Sequence, residues 1–283
     1  MEKKNWHICT EGLEDDLIFK SAGDFVYGMN GVPVCALTSG VSILCFCLMD
    51  NHVHFIVNGT EADGERFIRQ YLRRLSRLVR IPVEKASMKL IDDDEYLRQA
   101  VGYVLRNPVK AYNVMPAAYP WGSGALYFDD CVIAARHSDY DTVSAIGVVK
   151  MRKLLCSRVR LPDDYKVSPD GMVCPECYVD ISAVEELYSN RPARMMYYLS
   201  VNKDMEMELS GDMLHKAKYR DADLLGTVSD ICRESFSKNG PADLRLEDRY
   251  RLADILRRRY GLGIKQLARL TGTKTALLKS VLK

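Results

Sequence analysis

Apolar positions fall into short blocks separated by turn residues. Residues 41–48 (VSILCFCL) are an unbroken run rich in β-branched and aromatic side chains, too short for most helices, and predict a buried strand. Asp50 and Asn51 supply turn chemistry. Residues 52–58 (HVHFIVN) predict the next strand, so 41–58 reads as a hairpin. Residues 6–10 predict a short first strand, and 22–37 a helix crossing back over the sheet despite its glycines and proline.

The period then changes. In 61–81, Ile68, Tyr71, Leu72, Leu75, Leu78 and Val79 recur at helical spacing, arginines take the other side, and Pro82 marks the end. Residues 87–91 (SMKLI) predict a last strand. Asp92–Asp94 then cap a helix running to about Asn107, where Pro108 should end it, because the residue before proline is biased away from helical geometry. Strand, helix, hairpin, helix, strand, helix predicts an α+β fold: a ferredoxin-like antiparallel sheet with helices on one face, followed by a mostly helical C-terminal region. The expected domains are 1–130 for this unit, 131–240 for a mostly helical region whose role is not legible, and 241–283 for a tail of different composition.

The tail changes the electrostatic picture. The whole chain of 283 residues carries 40 Lys+Arg against 38 Asp+Glu, a net +2 that gives no global reason for a nucleic-acid partner. Within 241–283 there are 11 Lys+Arg and 4 Asp+Glu, a local +7, which leaves −5 for the rest. YRLADILRRRYGLG reads as a helix ending at glycine, and IKQLARLTGTKTALLKSVL as helix, glycine-containing turn, helix. A second helix from about Thr273 would enter a DNA groove, with Lys274, Thr275 and Lys279 as candidate contacts. The alternative is a plain helical hairpin completing the middle region.

Candidate chemistry centres on His52 and His54. Strand side chains alternate, so both imidazoles point to one face about 7 Å apart at Cα, while Val53 and Phe55 point to the other. Such a pair can share one metal ion, or can simply be hydrogen-bonded polar decoration. Downstream, YVLRNP puts Tyr103 and Asn107 four apart on one helix face. An amide oxygen is a hard donor suited to Mg²⁺ or Mn²⁺. Taken singly, Tyr103 reads as one packing tyrosine among 16, and Asn107 as a helix-end residue.

Together these residues resemble the single-tyrosine transposases of the HUH superfamily, and within them the REP-associated tyrosine transposase branch. The likeness lies in CLMDNHVHFIV, GERFIRQYLRRLSR, GYVLRNPVKAYNV and YPWGSGALYF, in that order, within roughly residues 5–130. The resemblance implies that His52 and His54 ligate a divalent cation (Mg²⁺ or Mn²⁺), that Tyr103 is the nucleophile, and that Asn107 is the third metal-ligand position. It also implies action on single-stranded or hairpin DNA through a 5′-phosphotyrosine intermediate with release of a 3′-hydroxyl, as in DNA transposition and recombination. The basic tail resembles the DNA-binding segments of replication-initiator proteins.

Arg66, Arg69, Arg73 and Arg77 read either as a solvated helix face or as a phosphate-tracking stripe beside the active site. Cys174 and Cys177 have the spacing of half a zinc site, with no second pair to complete it. His7, His137 and His215 have no partner that the sequence reveals. The odd count of nine cysteines and a start lacking an apolar leader predict reduced thiols and a cytoplasmic location, with no membrane span. The sequence is compatible with a monomer or a homodimer. The expected activity is that of a metal-dependent single-stranded DNA transesterase. The alternatives are a non-catalytic DNA-binding regulator derived from one, and a water-using metal phosphodiesterase.

Overall fold

The computed structural model describes residues 2–13, 16–128, 140–200, 219, 221–260 and 262–282. His137 and His215 lie outside the described residues. Two compact units are present. The first comprises Met1–Gly12, Ile18–Asn107 and Met115–Leu209; the second comprises Leu13–Leu17, Pro108–Val114 and Ser210–Lys283.

The first unit is built on β1 (Lys4–Thr10), α1 (Ala22–Ser39), β2 (Ser42–Met49), β3 (His52–Gly59), α2 (Glu61–Val79), β4 (Ala86–Ile91) and, as far as Asn107, α3 (Asp94–Tyr112). The strands form one antiparallel sheet in the order β2-β3-β1-β4, the ferredoxin-like arrangement. The two central strands are β1 and β3, and the histidine pair sits on β3. Both crossover helices start from capping boxes, Ser21 with Asp24 and Thr60 with Asp63. Gly28 lets α1 approach the sheet: a Cβ there would lie 2.5 Å from Cε1 of Phe19 and 2.8 Å from Cδ2 of Leu48.

Alternation gives the sheet two different faces. Phe55 packs edge-on against Phe67 and Tyr71 of α2, at centroid distances of 5.0 and 4.9 Å. His54, one residue earlier, points to the other face and meets Tyr103 of α3. The crossover layer thus covers one face, and α3 lies across the other.

Helix α3 does not stop at Asn107; it continues through Pro108 for another turn, to Tyr112. Proline has no N–H to give to the carbonyl four residues back, which here is Val104. The Asn107 amide nitrogen supplies the missing donor, lying 3.2 Å from Val104 O and 3.0 Å from Tyr103 O. The side chain just before the proline repairs the gap that should have ended the helix.

The segment after α3 seals the outer edge of β2. Leu48 N–H donates to Trp121 O (2.8 Å) and Ser123 N–H to Phe46 O (3.0 Å), while the Tyr119 hydroxyl donates to Leu48 O (2.7 Å). A short helix, α4 (Ala125–Phe128), closes this strip. Covering a free strand edge in this way removes a site of edge-to-edge association.

The rest of the unit holds a two-stranded ribbon, β5 (Asp141–Thr142) with β6 (Lys166–Val167), and the helices α5 (Val143–Ile146), α6 (Val148–Leu155), α7 (Ile181–Leu187) and α8 (Pro192–Ser200). Asn30, fully buried on α1, donates to Gly171 O (2.9 Å) and accepts from Val173 N–H (2.8 Å). Its two bonds pin the turn after β6 onto α1. Tyr188 and the region of α7 and α8 clasp α3: the Tyr188 hydroxyl donates to Arg98 O (2.7 Å), Arg98 Nε to Leu187 O (2.9 Å), and the Tyr198 hydroxyl to Glu95 Oε2 (2.7 Å).

In the second unit, α9 (Asp221–Phe236), α10 (Leu246–Tyr260), α11 (Ile264–Thr271) and α12 (Thr275–Val281) surround a core that includes Leu224, Ile231, Leu252, Leu256, Leu267 and Leu278. Gly272 ends α11 in the left-handed region (φ 63°), so α11 and α12 are joined by a three-residue turn, Gly272–Lys274. Arg269 of α11 pairs with Asp221 at the start of α9 through two bonds of 2.7 and 3.1 Å, and Gln266 adds a third donor at 3.1 Å. Among the described residues, no helix is long and apolar enough to cross a membrane.

Candidate active site

The face of the sheet beneath α3 carries an unusual set of side chains. His52 and His54 come from β3. Cys47 and Cys9 stand beside His54 on β2 and β1. His7, two residues before Cys9 on β1, points to the same face. All three histidines are buried, His54 and His7 to within 1% of complete burial. A polar ring at such a position must find partners or be costly.

The rings answer one another. His52 Nδ1 lies 2.7 Å from Asn51 Oδ1, and His54 Nδ1 lies 3.3 Å from His7 Nε2. The His52 and His54 rings are perpendicular with centroids 4.8 Å apart. Tyr103 closes the group from above: its ring meets His54 edge-on at 5.4 Å and His7 at 5.9 Å. It is 92% buried. The structure thus brings His52, His54 and Tyr103 together, and adds His7, which sequence reasoning left without a partner. The signal for His7 lay in the register: a histidine two residues before the β1 position opposite His54 shares its face and falls on its diagonal.

Asn107 follows Tyr103 by one helical turn and is also buried. Its amide nitrogen serves its own helix, as described above, which leaves the carbonyl oxygen as the end of the side chain suited to a cation. Among the described residues, no group of three or more His, Cys, Asp or Glu side chains is gathered as a metal cage. The donor set nevertheless suits a divalent ion. In both His52 and His54 the Nδ1 atom is engaged by a neighbour, so Nε2 is the ring atom that would face a metal, and holding the opposite nitrogen is how proteins fix a ligating imidazole.

Burial and charge bias the site toward neutral groups. Desolvation, with Lys89 on the neighbouring strand adding to it, lowers the His7 pKa to about 4, so its imidazole is uncharged near neutrality. Desolvation, reinforced by Glu11, raises the Cys9 thiol to about 12, and desolvation alone raises Cys47 further. Without a cation beside them, the flanking cysteines are therefore protonated, small apolar neighbours of the histidines.

The candidate DNA-contacting residues are placed differently from expectation in two respects. Arg66, Arg69, Arg73 and Arg77 are exposed, but α2 covers the Phe55 face, so the stripe lies on the opposite side of the sheet from His54 and Tyr103 and not beside them. Two of its members are engaged locally, Arg66 with Asp63 (3.6 Å) and Arg69 with Glu65 (3.9 Å), as solvated helix faces are. Arg74 is instead buried, donating to Leu155 O (2.8 Å) and standing over the Tyr27 ring. In the second unit Lys274 and Lys279 are exposed, whereas Thr275 is completely buried: as the first residue of α12 its side chain turns into the helical core instead of outward.

No protein-family profile matches the chain, and no curated protein matches it. Among solved structures, the chain is similar to a REP-associated tyrosine transposase bound to a REP hairpin, with 14% identity, 47% of this chain and 81% of that chain covered, and a TM-score of 0.37.

Proposed function

We propose that the first unit is a metal-dependent single-stranded DNA transesterase of the transposase type, with Tyr103 as nucleophile. The observation that carries the reading is the packing of Tyr103 from α3 against His54 on the sheet, two residues nearly fifty positions apart brought ring to ring at 5.4 Å in a buried polar cluster. A tyrosine that served packing alone would not need three histidines beneath it.

In this reading His52 and His54, with Asn107 as a third donor, hold Mg²⁺ or Mn²⁺. When bound, such an ion neutralises phosphate charge and orients the phosphorus for in-line attack. The chain's own groups do the rest. Free tyrosine has a pKa of about 10, so about one phenol in a thousand is ionised at neutral pH and the phenol must lose its proton as it attacks. The Tyr103 oxygen forms a bond to phosphorus, the bond from phosphorus to the 3′-oxygen breaks, and that oxygen leaves as a 3′-hydroxyl. The product is a 5′-phosphotyrosine, which keeps the ester available for a later strand transfer. The clasp of α7 and α8 on α3 fixes the helix that carries the nucleophile. In the second unit, the exposed Lys274 and Lys279 on the α11–α12 pair act as a helix-turn-helix contact to duplex DNA.

The test is denaturing electrophoresis after incubation with Mn²⁺ and a 3′-labelled pool of hairpin oligonucleotides with randomised single-stranded flanks. A labelled protein–DNA adduct is expected from the wild type and none from Tyr103→Phe. An undiminished adduct in the variant overturns the assignment. Cleavage without adduct would identify a water-using phosphodiesterase, and binding without cleavage a DNA-binding regulator.

A further inference from the structure

His7 is absorbed by nothing in the proposed reaction, yet it is buried against one of the proposed ligands. It lies on β1 opposite Ile56, one pleat along from the Cys9–His54 pair, and its ring stacks on His54 at 22° with centroids 5.5 Å apart. The two closest ring nitrogens, Nε2 of His7 and Nδ1 of His54, are 3.3 Å apart.

A neutral imidazole has one N–H and one lone pair, so this contact has two possible senses. If His7 donates, the His54 Nδ1 must accept, and the His54 proton then sits on Nε2, where it blocks a cation. If His54 donates from Nδ1, its Nε2 carries the lone pair that a cation needs, and His7 carries its own proton on Nδ1. For His52 the sense is already fixed, because Asn51 Oδ1 can only accept. Two ligands that face one ion must both present Nε2, so only the second sense is compatible with a shared site.

We infer that His7 is a positioning residue that accepts from His54 Nδ1–H and so holds His54 in the tautomer that ligates through Nε2. The inference rests on the proposed ligand role of His54. It makes β1 part of the metal site through a residue that touches neither ion nor DNA.

Three proteins test it: wild type, His7→Gln, whose amide oxygen reaches about as far as Nε2 and can accept, and His7→Leu, which fills the space without an acceptor. Calorimetric Mn²⁺ binding is expected to weaken about 10–100-fold in His7→Leu, the usual effect of removing such a supporting hydrogen bond. His7→Gln is expected to stay close to wild type. Long-range ¹H–¹⁵N spectra of the Mg²⁺-saturated wild type should show His54 protonated at Nδ1. Wild-type affinity in a folded His7→Leu, or His54 protonated at Nε2 in the wild type, overturns the assignment. If His7→Leu does not fold, the wild-type spectrum alone decides. Failure of the wild type to bind Mn²⁺ removes the cation reading along with the role of His7. Normal Mn²⁺ binding and tautomer without an adduct would remove the nucleophile assignment while leaving His7 in place.

Discussion

Tyr103 meets His54 edge to face, with ring centroids 5.4 Å apart and planes at 85°. The contact joins a helix to a strand across the polar face of the sheet, and each partner depends on elements placed elsewhere in the chain. His54 is held from β1 by His7. Tyr103 is held by α3, whose outer side is gripped by the chain around α7 and α8. Changes far from the tyrosine should therefore be felt at it.

The first prediction concerns the two histidines proposed as ligands. His54→Ala should abolish measurable Mn²⁺ binding and reduce adduct formation below detection. Because His54 is completely buried, the same change also opens a cavity and costs about 1–3 kcal/mol of stability. His52→Ala, nearer the surface, should lose Mn²⁺ binding with the smaller stability loss. Calorimetry and thermal melts on the two variants check this; Mn²⁺ binding retained in both would remove the histidine pair from the site.

Gly102, next to Tyr103, has a specific reason to be glycine. A Cβ there would lie 3.0 Å from Tyr198 O and 3.1 Å from Tyr198 C, a collision with backbone and not with a yielding side-chain tip. Gly102→Ala requires α8 and α3 to ease apart by a few tenths of an ångström. The expected cost is about 1–3 kcal/mol, as for other overpacked contacts, with a fall in adduct yield larger than the fall in DNA affinity. Thermal denaturation and the electrophoretic assay read the two effects separately. A variant with unchanged melting temperature and yield would show that the clasp does not position the helix.

Much of the first unit was legible because its periodicities are clean. The β-branched, aromatic-rich runs at 41–48 and 52–58 read as strands, the interleaved arginines and aliphatics of 61–81 as an amphipathic helix, and the structure has β2, β3 and α2 there. His52, His54, Tyr103 and Asn107 stood out as residue types at chemical spacings. Three features were hidden for physical reasons. Proline at 108 signals a helix end, and only the three-dimensional position of the Asn107 amide reveals that the lost hydrogen bond is replaced. The location of the α2 arginines depends on which face of the sheet α2 covers, which follows from Phe55 and not from the arginines themselves. His7 becomes significant only through strand register, a long-range property that no local pattern encodes.

Asn30 provides a stability test away from the chemistry. It spends both ends of its amide on the backbone of 171–173, with bonds of 2.9 and 2.8 Å in a fully buried setting. Asn30→Ala strands a buried carbonyl and a buried N–H, at about 1–3 kcal/mol for each unsatisfied group. Asn30→Asp keeps the acceptor but loses the donor and buries a carboxylate facing Gly171 O, so it should be no better than alanine. Urea denaturation of the three proteins checks the order; alanine matching wild type would mean that the turn after β6 is held by other contacts.

The second unit allows a test of DNA contact that keeps its fold intact. Lys274 and Lys279 are exposed on α12 and its N-terminal flank, so removing them disturbs no core. Lys274→Ala with Lys279→Ala should weaken binding to duplex or hairpin DNA. If each lysine neutralises one phosphate, the log–log salt slope should become shallower by about 2. Cleavage of short single-stranded oligonucleotides should be unchanged. Thr275→Val, at a completely buried position, should leave the salt slope alone and act on stability, since its side chain faces the core. Fluorescence anisotropy across a salt series, paired with thermal melts, distinguishes the two. If Thr275→Val changes the salt slope and the lysine pair does not, then α12 does not meet DNA through the surface proposed for it.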